Sequence, residues 1–225
     1  MSKFYVVGTP IGNLEDITYR AVRILGEVDL VLCEDTRVTR VLLDKYGLKT
    51  PTMSYHAQSK ISKADKIIEL LNEGKNLALV SDAGTPTISD PGSLLVSQIK
   101  QNCLEVEIIV IPGPSAVISA LSISGMSVAE FTFLGFLPHK KGRETLFKEI
   151  AASERLMVFY ESPHRIIKTL ESLNKFSPNK KVAIARELTK IYEQIVSGTV
   201  FEVQKYFNDN PDKVRGEFVV MVSEK

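Results

Sequence analysis

The chain has 225 residues, 44% hydrophobic and 24% charged, with a formal net charge of +1. This is the composition of a globular protein able to bury a core without disulfide or metal staples. The balance carries no bulk signal for nucleic acid, so any charged contact surface must be local. No apolar run approaches the ~18 residues of a membrane span, and the opening "MSKFYVVG" is too short for a signal peptide. Cys33 and Cys103 stand far apart and read as reduced core residues. A cytoplasmic protein is expected.

In chain order, short β-rich runs alternate with amphipathic segments. "KFYVV", "VDLVLCE", "LALVS", "EIIVI", "EFTFLG", "RLMVFYE", "KVAIARE" and "EFVVMVS" read as strands. Most are continuously apolar, as strands covered on both faces are. Between them, "ITYRAVRILGEV", "RVTRVLLDKYG", "SKADKIIELLNEG", "SLLVSQIKQN", "RETLFKEIAAS" and "HRIIKTLESLNKF" carry helical periodicity. Ile67, Leu70 and Leu71 recur at i, i+3, i+4, with Gly74 as the stop. Near "IPGPSAVISALSISG" the pattern changes, and "TKIYEQIVSGTVFEV" reads as an antiparallel excursion. The expectation is an α/β protein of two domains, 1–115 with a mainly parallel sheet and 116–225 with a mixed sheet. In open α/β sheets ligands bind beyond the carboxyl ends of the strands, and a cleft between the two domains is expected to hold one.

Four strand ends carry unusual loops. "VVGTPIGNLEDIT" has Gly8 and Gly12 for close backbone approach and Pro10 to stiffen the turn. It matches neither the dinucleotide fingerprint nor a Walker loop, and a structural turn explains it as well as a ligand does. "CEDTRVTR" ends a strand in Glu34 and Asp35, with Thr36 as a helix cap and Arg37 and Arg40 adjacent on the helix. "NLALVSDAGTPTISDPG" runs from an apolar strand into a loop too long for a plain connection. There Asp82 is a polar anchor, Gly84 and Thr85 form a backbone surface, and Pro86 is a brace. Asp90 and Pro91 are expected to start the next helix. "IPGPSAVISAL" offers Ser115 as an N-cap, beside the small Ala116. None of these ends has phosphate-binding chemistry; a nucleoside-like ligand without phosphates suits them.

"VGTPIGNLEDIT", "EDTR", "SDAGTPTISDPG", "IPGPSA", "GFLP", "ESPHR" and "REL" fall in this order within residues 5–217. Together they resemble the ribosomal RNA small-subunit methyltransferase I family, of the tetrapyrrole methylase fold. The resemblance implies transfer of a methyl group from S-adenosylmethionine to the ribose 2′-hydroxyl of a cytidine in the decoding region of small-subunit (16S) ribosomal RNA. It implies a homodimer, with the cofactor in the interdomain cleft. By motif, it assigns Pro10, Asp82, Gly84, Thr85, Ser115 and Ala116 to the cofactor, with Tyr160 added from the second domain. Longer members of that family continue past "GEFVVMVSEK", and the absence of that tail bears on RNA affinity.

The implied chemistry is an in-line displacement, in which positioning and a general base contribute. Base candidates at strand ends are Glu34, Asp35, Glu161 and Glu187. Each is equally an ion-pair partner for Arg37, Arg165 or Arg186. His164, after Pro163, reads as helix-start structure. RNA contact needs local positive charge, which "FLPHKKGRE" supplies as Lys140, Lys141 and Arg143. Arg37, Arg40, Arg165 and Arg186 extend that surface. The RNA is either free or in the assembled small subunit. No ligand cluster implies a metal. Two other readings share these features: a tetrapyrrole or other small-molecule methylase, and a non-catalytic, cofactor-binding ribosome assembly factor.

Overall fold

The computed structural model describes residues 1–56, 61–90 and 92–223. The chain divides into two compact units, Met1–Ser115 and Ala116–Lys225. In the first unit the order is β1 (Lys3–Val7), α1 (Tyr19–Glu27), β2 (Leu30–Cys33), α2 (Thr36–Lys45), β3 (Thr52–Ser54), α3 (Ile61–Asn72), β4 (Leu77–Leu79), α4 (Ser93–Asn102) and β5 (Glu107–Ile111). All five strands are parallel, in the order β3-β2-β4-β1-β5.

The apolar strand runs have a direct physical reason. Along a strand, successive side chains face opposite sides. Val31, Cys33, Ala78 and Val80 face α1 and α2 through Ile24, Leu25, Leu42 and Leu43. Their neighbours Leu32, Leu77 and Leu79 face α3 and α4 through Ile67, Leu71, Leu95 and Ile99. With helices on both faces, no position along β2 or β4 is left for a polar residue until the strand ends. Polar residues therefore begin abruptly at Glu34 and Ser81.

The second unit contains α5 (Ala116–Ile123), β6 (Phe131–Phe136), α6 (Arg143–Ala152), β7 (Leu156–Glu161), α7 (Ile166–Phe176), β8 (Lys181–Arg186), β9 (Gln194–Thr199), α8 (Val200–Asp209) and β10 (Phe218–Ser223). Its sheet runs β6-β7-β10-β8-β9, with β6 and β7 parallel and the other pairs antiparallel. Phe147, Ile150, Leu170, Leu173, Val203 and Phe207 from α6, α7 and α8 pack on Phe159, Ile184, Phe218 and Val220. The mixed sheet is as expected. Among the described residues, no helix is long and apolar enough to cross a membrane.

Local structure departs from the sequence reading at several points. The antiparallel excursion stops at Thr199, and the residues after it form α8. Thr199 Oγ1 accepts from Glu202 N–H at 3.2 Å, while Glu202 Oε2 accepts from Thr199 N–H at 2.8 Å, a complete capping box. The cap of α2 is Asp35, not Thr36: its carboxylate accepts from Arg37 N–H at 2.8 Å. Helix α4 begins at Ser93 with Gly92 as its cap residue, so Asp90 is not the N-cap; Pro91 lies outside the described residues. Strand β3 was not expected, because three residues are too few to show a period.

Candidate functional site

The carboxyl ends of β1, β2, β4 and β5 are stitched together by backbone and side-chain contacts. Thr9 N–H donates to Gly84 O at 2.9 Å, and Gly84 N–H returns the bond to Thr9 O at 3.1 Å. Thr9 is buried, and its hydroxyl donates to Ser81 O at 3.1 Å. Gly84 sits at φ +81°, and a side chain there would point to Ile11 and to Pro114 O, at 3.6 and 3.8 Å from the added carbon. Gly8 and Gly113 touch backbone to backbone: a Cβ on Gly8 would lie 2.8 Å from both N and Cα of Gly113. Gly8 N–H also donates to Ile111 O at 3.0 Å.

The loops bearing Pro10, Gly84 and Ser115 therefore come together in the first unit. Pro10 and Pro86 are buried supports, Thr85 and Ser115 are half-buried, and Asp82 is exposed. Ala116 opens α5, the first element of the second unit. Gly84 spends its N–H and C=O on Thr9, so its part in the wall is to join two loops rather than to offer those groups to a ligand. Thr9 was missed by sequence reasoning, because its partners lie 72 and 75 residues away. Beyond Thr85 the loop holds Thr87 at φ +75° and Ser89 at φ +63°. Such left-handed backbone is costly for a β-branched residue and clusters at ligand clamps.

Asp82 links this wall to the end of β2 by accepting Asp35 N–H on Oδ1 at 3.1 Å. Burial, and then the Asp82 charge, push the Glu34 carboxyl above its ordinary value, with His56 opposing. Asp35 behaves oppositely. Its hydrogen bonds from the Arg37 side chain and backbone hold it down to about 2. Arg37 lies 2.5 Å from Asp35, and Arg40 reaches Asp44 at 4.0 Å. The rim is thus acidic, and its nearest cations are already paired. Such a rim suits ligand hydroxyls, amines and a positive centre rather than phosphate.

In the second unit, Glu161 ends β7 at 1% exposure. Its carboxylate accepts from Ser162 N–H (2.9 Å), Arg165 Nε (2.6 Å) and Thr169 Oγ1 (2.6 Å), with Arg143 at 3.4 Å. The other arms of the two arginines donate to Leu137 O (2.9 Å) and Pro138 O (3.1 Å). Arg186 is 4% exposed and donates to neutral oxygens of Tyr192, Gln194 and Arg215. Glu187, at φ +49°, pairs with Lys190 at 2.9 Å.

These contacts reorder the expectations for charged groups. Arg143, Arg165 and Arg186 are turned inward and brace loops, whereas Lys140 and Lys141 stand exposed between Pro138 and Arg143. Asp35, Glu161 and Glu187 are each held by a cation. Among the four base candidates, Glu34 is the one governed by burial rather than by an ion pair. His164 is exposed, in the turn before α7. Tyr160 lies in an aromatic cluster with Phe133 and Phe136.

An α/β unit with a parallel sheet, followed by one with a mixed sheet, is the fold shared with methyltransferases of known structure. The chain superposes on the methyltransferase CobJ with a TM-score of 0.70 at 19% identity, covering 100% of this chain and 95% of that one. A cobalt precorrin-4 methyltransferase of cobalamin biosynthesis also gives 0.70, at 17% identity over 98% and 94%. The family model described as Tetrapyrrole (Corrin/Porphyrin) Methylases matches residues 3–204. Closer in sequence is the ribosomal RNA small subunit methyltransferase I of Thermotoga maritima, 46% identical over 100% of both chains. The protein of that name from Bacillus subtilis is 43% identical over 99% of this chain and 75% of its own. The chain belongs to the tetrapyrrole methylase family, within its ribosomal RNA small subunit methyltransferase I group.

Proposed function

We propose that this protein methylates the ribose 2′-hydroxyl of a cytidine in the decoding region of small-subunit ribosomal RNA, with S-adenosylmethionine as donor. The observation that carries the reading is end-to-end identity of 46% with a relative named ribosomal RNA small subunit methyltransferase I. The joined loop ends of the first unit support the choice of donor, because they offer the exposed Asp82 carboxylate without a phosphate cradle.

S-adenosylmethionine, when bound, supplies an electrophilic methyl group on a sulfonium. The residues of this chain bind it, orient it and handle the acceptor's proton. Asp82 holds Asp35 N–H on Oδ1, and its exposed carboxylate also accepts a hydroxyl or amine of the ligand. Thr85 and Ser115 line the same wall with small polar groups, Pro10 and Pro86 stiffen it, and Gly84 ties it to Thr9. The Glu34 carboxylate, biased toward protonation, takes the proton leaving the 2′-hydroxyl. A positioned base of this kind contributes roughly 10²–10⁴-fold. Lys140 and Lys141 meet the RNA phosphates.

The test is transfer of labelled methyl from S-adenosylmethionine to small subunits, or to naked ribosomal RNA, from a methylation-deficient strain. Mass spectrometry then locates the modified nucleotide. Label confined to a small molecule would reject the reading. Asp82→Ala removes a charge-assisted hydrogen bond worth ~1.5–3 kcal/mol. It is expected to weaken S-adenosylmethionine binding about 10- to 150-fold by calorimetry; unchanged affinity would remove Asp82 from the site.

A further inference from the structure

The aromatic cluster of the second unit is built by an irregularity. Phe133 pairs with Val158, but Phe136 pairs with Tyr160, so three steps along β6 match two along β7. The extra residue is a β-bulge, with Gly135 at φ +64°. In a regular strand Phe133 and Phe136 would face opposite sides. The bulge brings both rings onto Tyr160, at centroid distances of 5.0 and 5.3 Å. Bulges re-aim side chains in this way beside functional sites. Phe136 remains 54% exposed, although it lies against another ring.

The chain leaving Phe136 passes straight into the exposed Lys140 and Lys141. Buried Leu137 anchors that segment, and Arg165 and Arg143 clamp its carbonyls to Glu161. A ring supported from behind and followed by a pair of exposed ammonium groups matches one kind of polymer. It must carry flat, stackable rings and regular negative charge.

We propose that Phe136 stacks an unpaired base of the RNA substrate, while Lys140 and Lys141 hold the flanking phosphates. Single-stranded RNA is bound through such aromatic platforms beside basic grooves. The inference rests on the RNA reading above and adds the element that recognises the nucleotide. It explains why the bulge turns a large apolar side chain toward solvent instead of into the sheet.

The experiment measures label transfer to unmodified small-subunit ribosomal RNA by the full chain and its Phe136→Ala, Phe136→Tyr and Lys140→Ala/Lys141→Ala variants. Phe136→Ala is expected to raise the KM for RNA roughly 5- to 150-fold, the range of one lost base stack. Its salt dependence should match the parent's, because no charge is lost. Phe136→Tyr should restore the parental KM. The double lysine variant should instead flatten the dependence of affinity on salt by about one to two phosphate contacts. Far-UV spectra establish that each variant is folded, and Phe136→Tyr controls for the packing of the bulge.

An unchanged KM in Phe136→Ala overturns the inference, as does an equal loss in Phe136→Tyr. A change in oligomeric mass with unchanged KM assigns the ring to a protein contact and also overturns it. If the parent itself transfers no label to RNA, it is the proposed function that fails.

Discussion

Glu161 was one of four candidate bases, and the structure makes it a clamp instead. Its side chain is wholly buried and receives four hydrogen bonds, two from guanidinium groups that are themselves 16% and 15% exposed. Glu161→Ala leaves two largely buried cations facing each other without a counter-charge. Removing one partner of a buried ion pair costs about 3–5 kcal/mol. The guanidinium arms that reach Leu137 O and Pro138 O keep those bonds, which places the expectation near the lower end, about 3 kcal/mol. For a chain of this size such a loss lowers the melting temperature by roughly 6–12 °C. Glu161→Gln keeps an acceptor oxygen and should lose less. In a double-mutant cycle with Arg165→Ala, the combined cost should fall well short of the sum, because the two residues share one network. Thermal unfolding followed by circular dichroism reads all of these. A Glu161→Ala protein that melts with the parent yet transfers no methyl group would refute the clamp and restore Glu161 as a base.

Three further outcomes are expected. Gly8→Ala forces a carbon against the Gly113 backbone; such overpacking costs about 1–3 kcal/mol, and calorimetry should show weaker S-adenosylmethionine binding. Glu34→Gln should lower kcat about 10²–10⁴-fold with cofactor affinity retained. Because the folded protein raises the Glu34 pKa above 4.5, its contribution to stability is fully present below 4.5 and lost as pH rises through the folded value. The variant should therefore remove that loss from a pH series of melting temperatures. Asp35 is depressed from 3.8 to about 2, so its contribution is present above 3.8 and lost only as pH falls through about 2. A carboxyl titration by nuclear magnetic resonance with a midpoint near 3.8 would contradict the Arg37 pairing.

Most strands and helices and the unusual strand-end loops were legible in the sequence, because burial on both faces imprints a continuous apolar run. Thr199 and Glu202 also have the capping-box spacing that starts α8, directly after the β-rich "QIVSG" of β9. The order of motifs along the chain identified the family. Their residue types also indicated a ligand wall free of phosphate-binding chemistry.

What the sequence determined, then, was what is local: strand periodicity, the loop chemistry at Asp82 and Pro86, and the family's motifs. Tertiary structure decided which charges are spent. Arg143 finds Glu161 across 18 residues, Asp82 accepts the Asp35 backbone N–H across 47, and the Thr9 hydroxyl donates to Ser81 O across 72. A charged residue in a sequence announces its charge but not its counter-charge. Strand pairing brings distant loop ends within hydrogen-bond reach, and those contacts turned Arg143, Arg165 and Arg186 inward. They also locked Glu161 and left Glu34 under the influence of burial. The bulge that exposes Phe136 is of the same kind, since an extra residue in one strand has meaning only against the strand beside it.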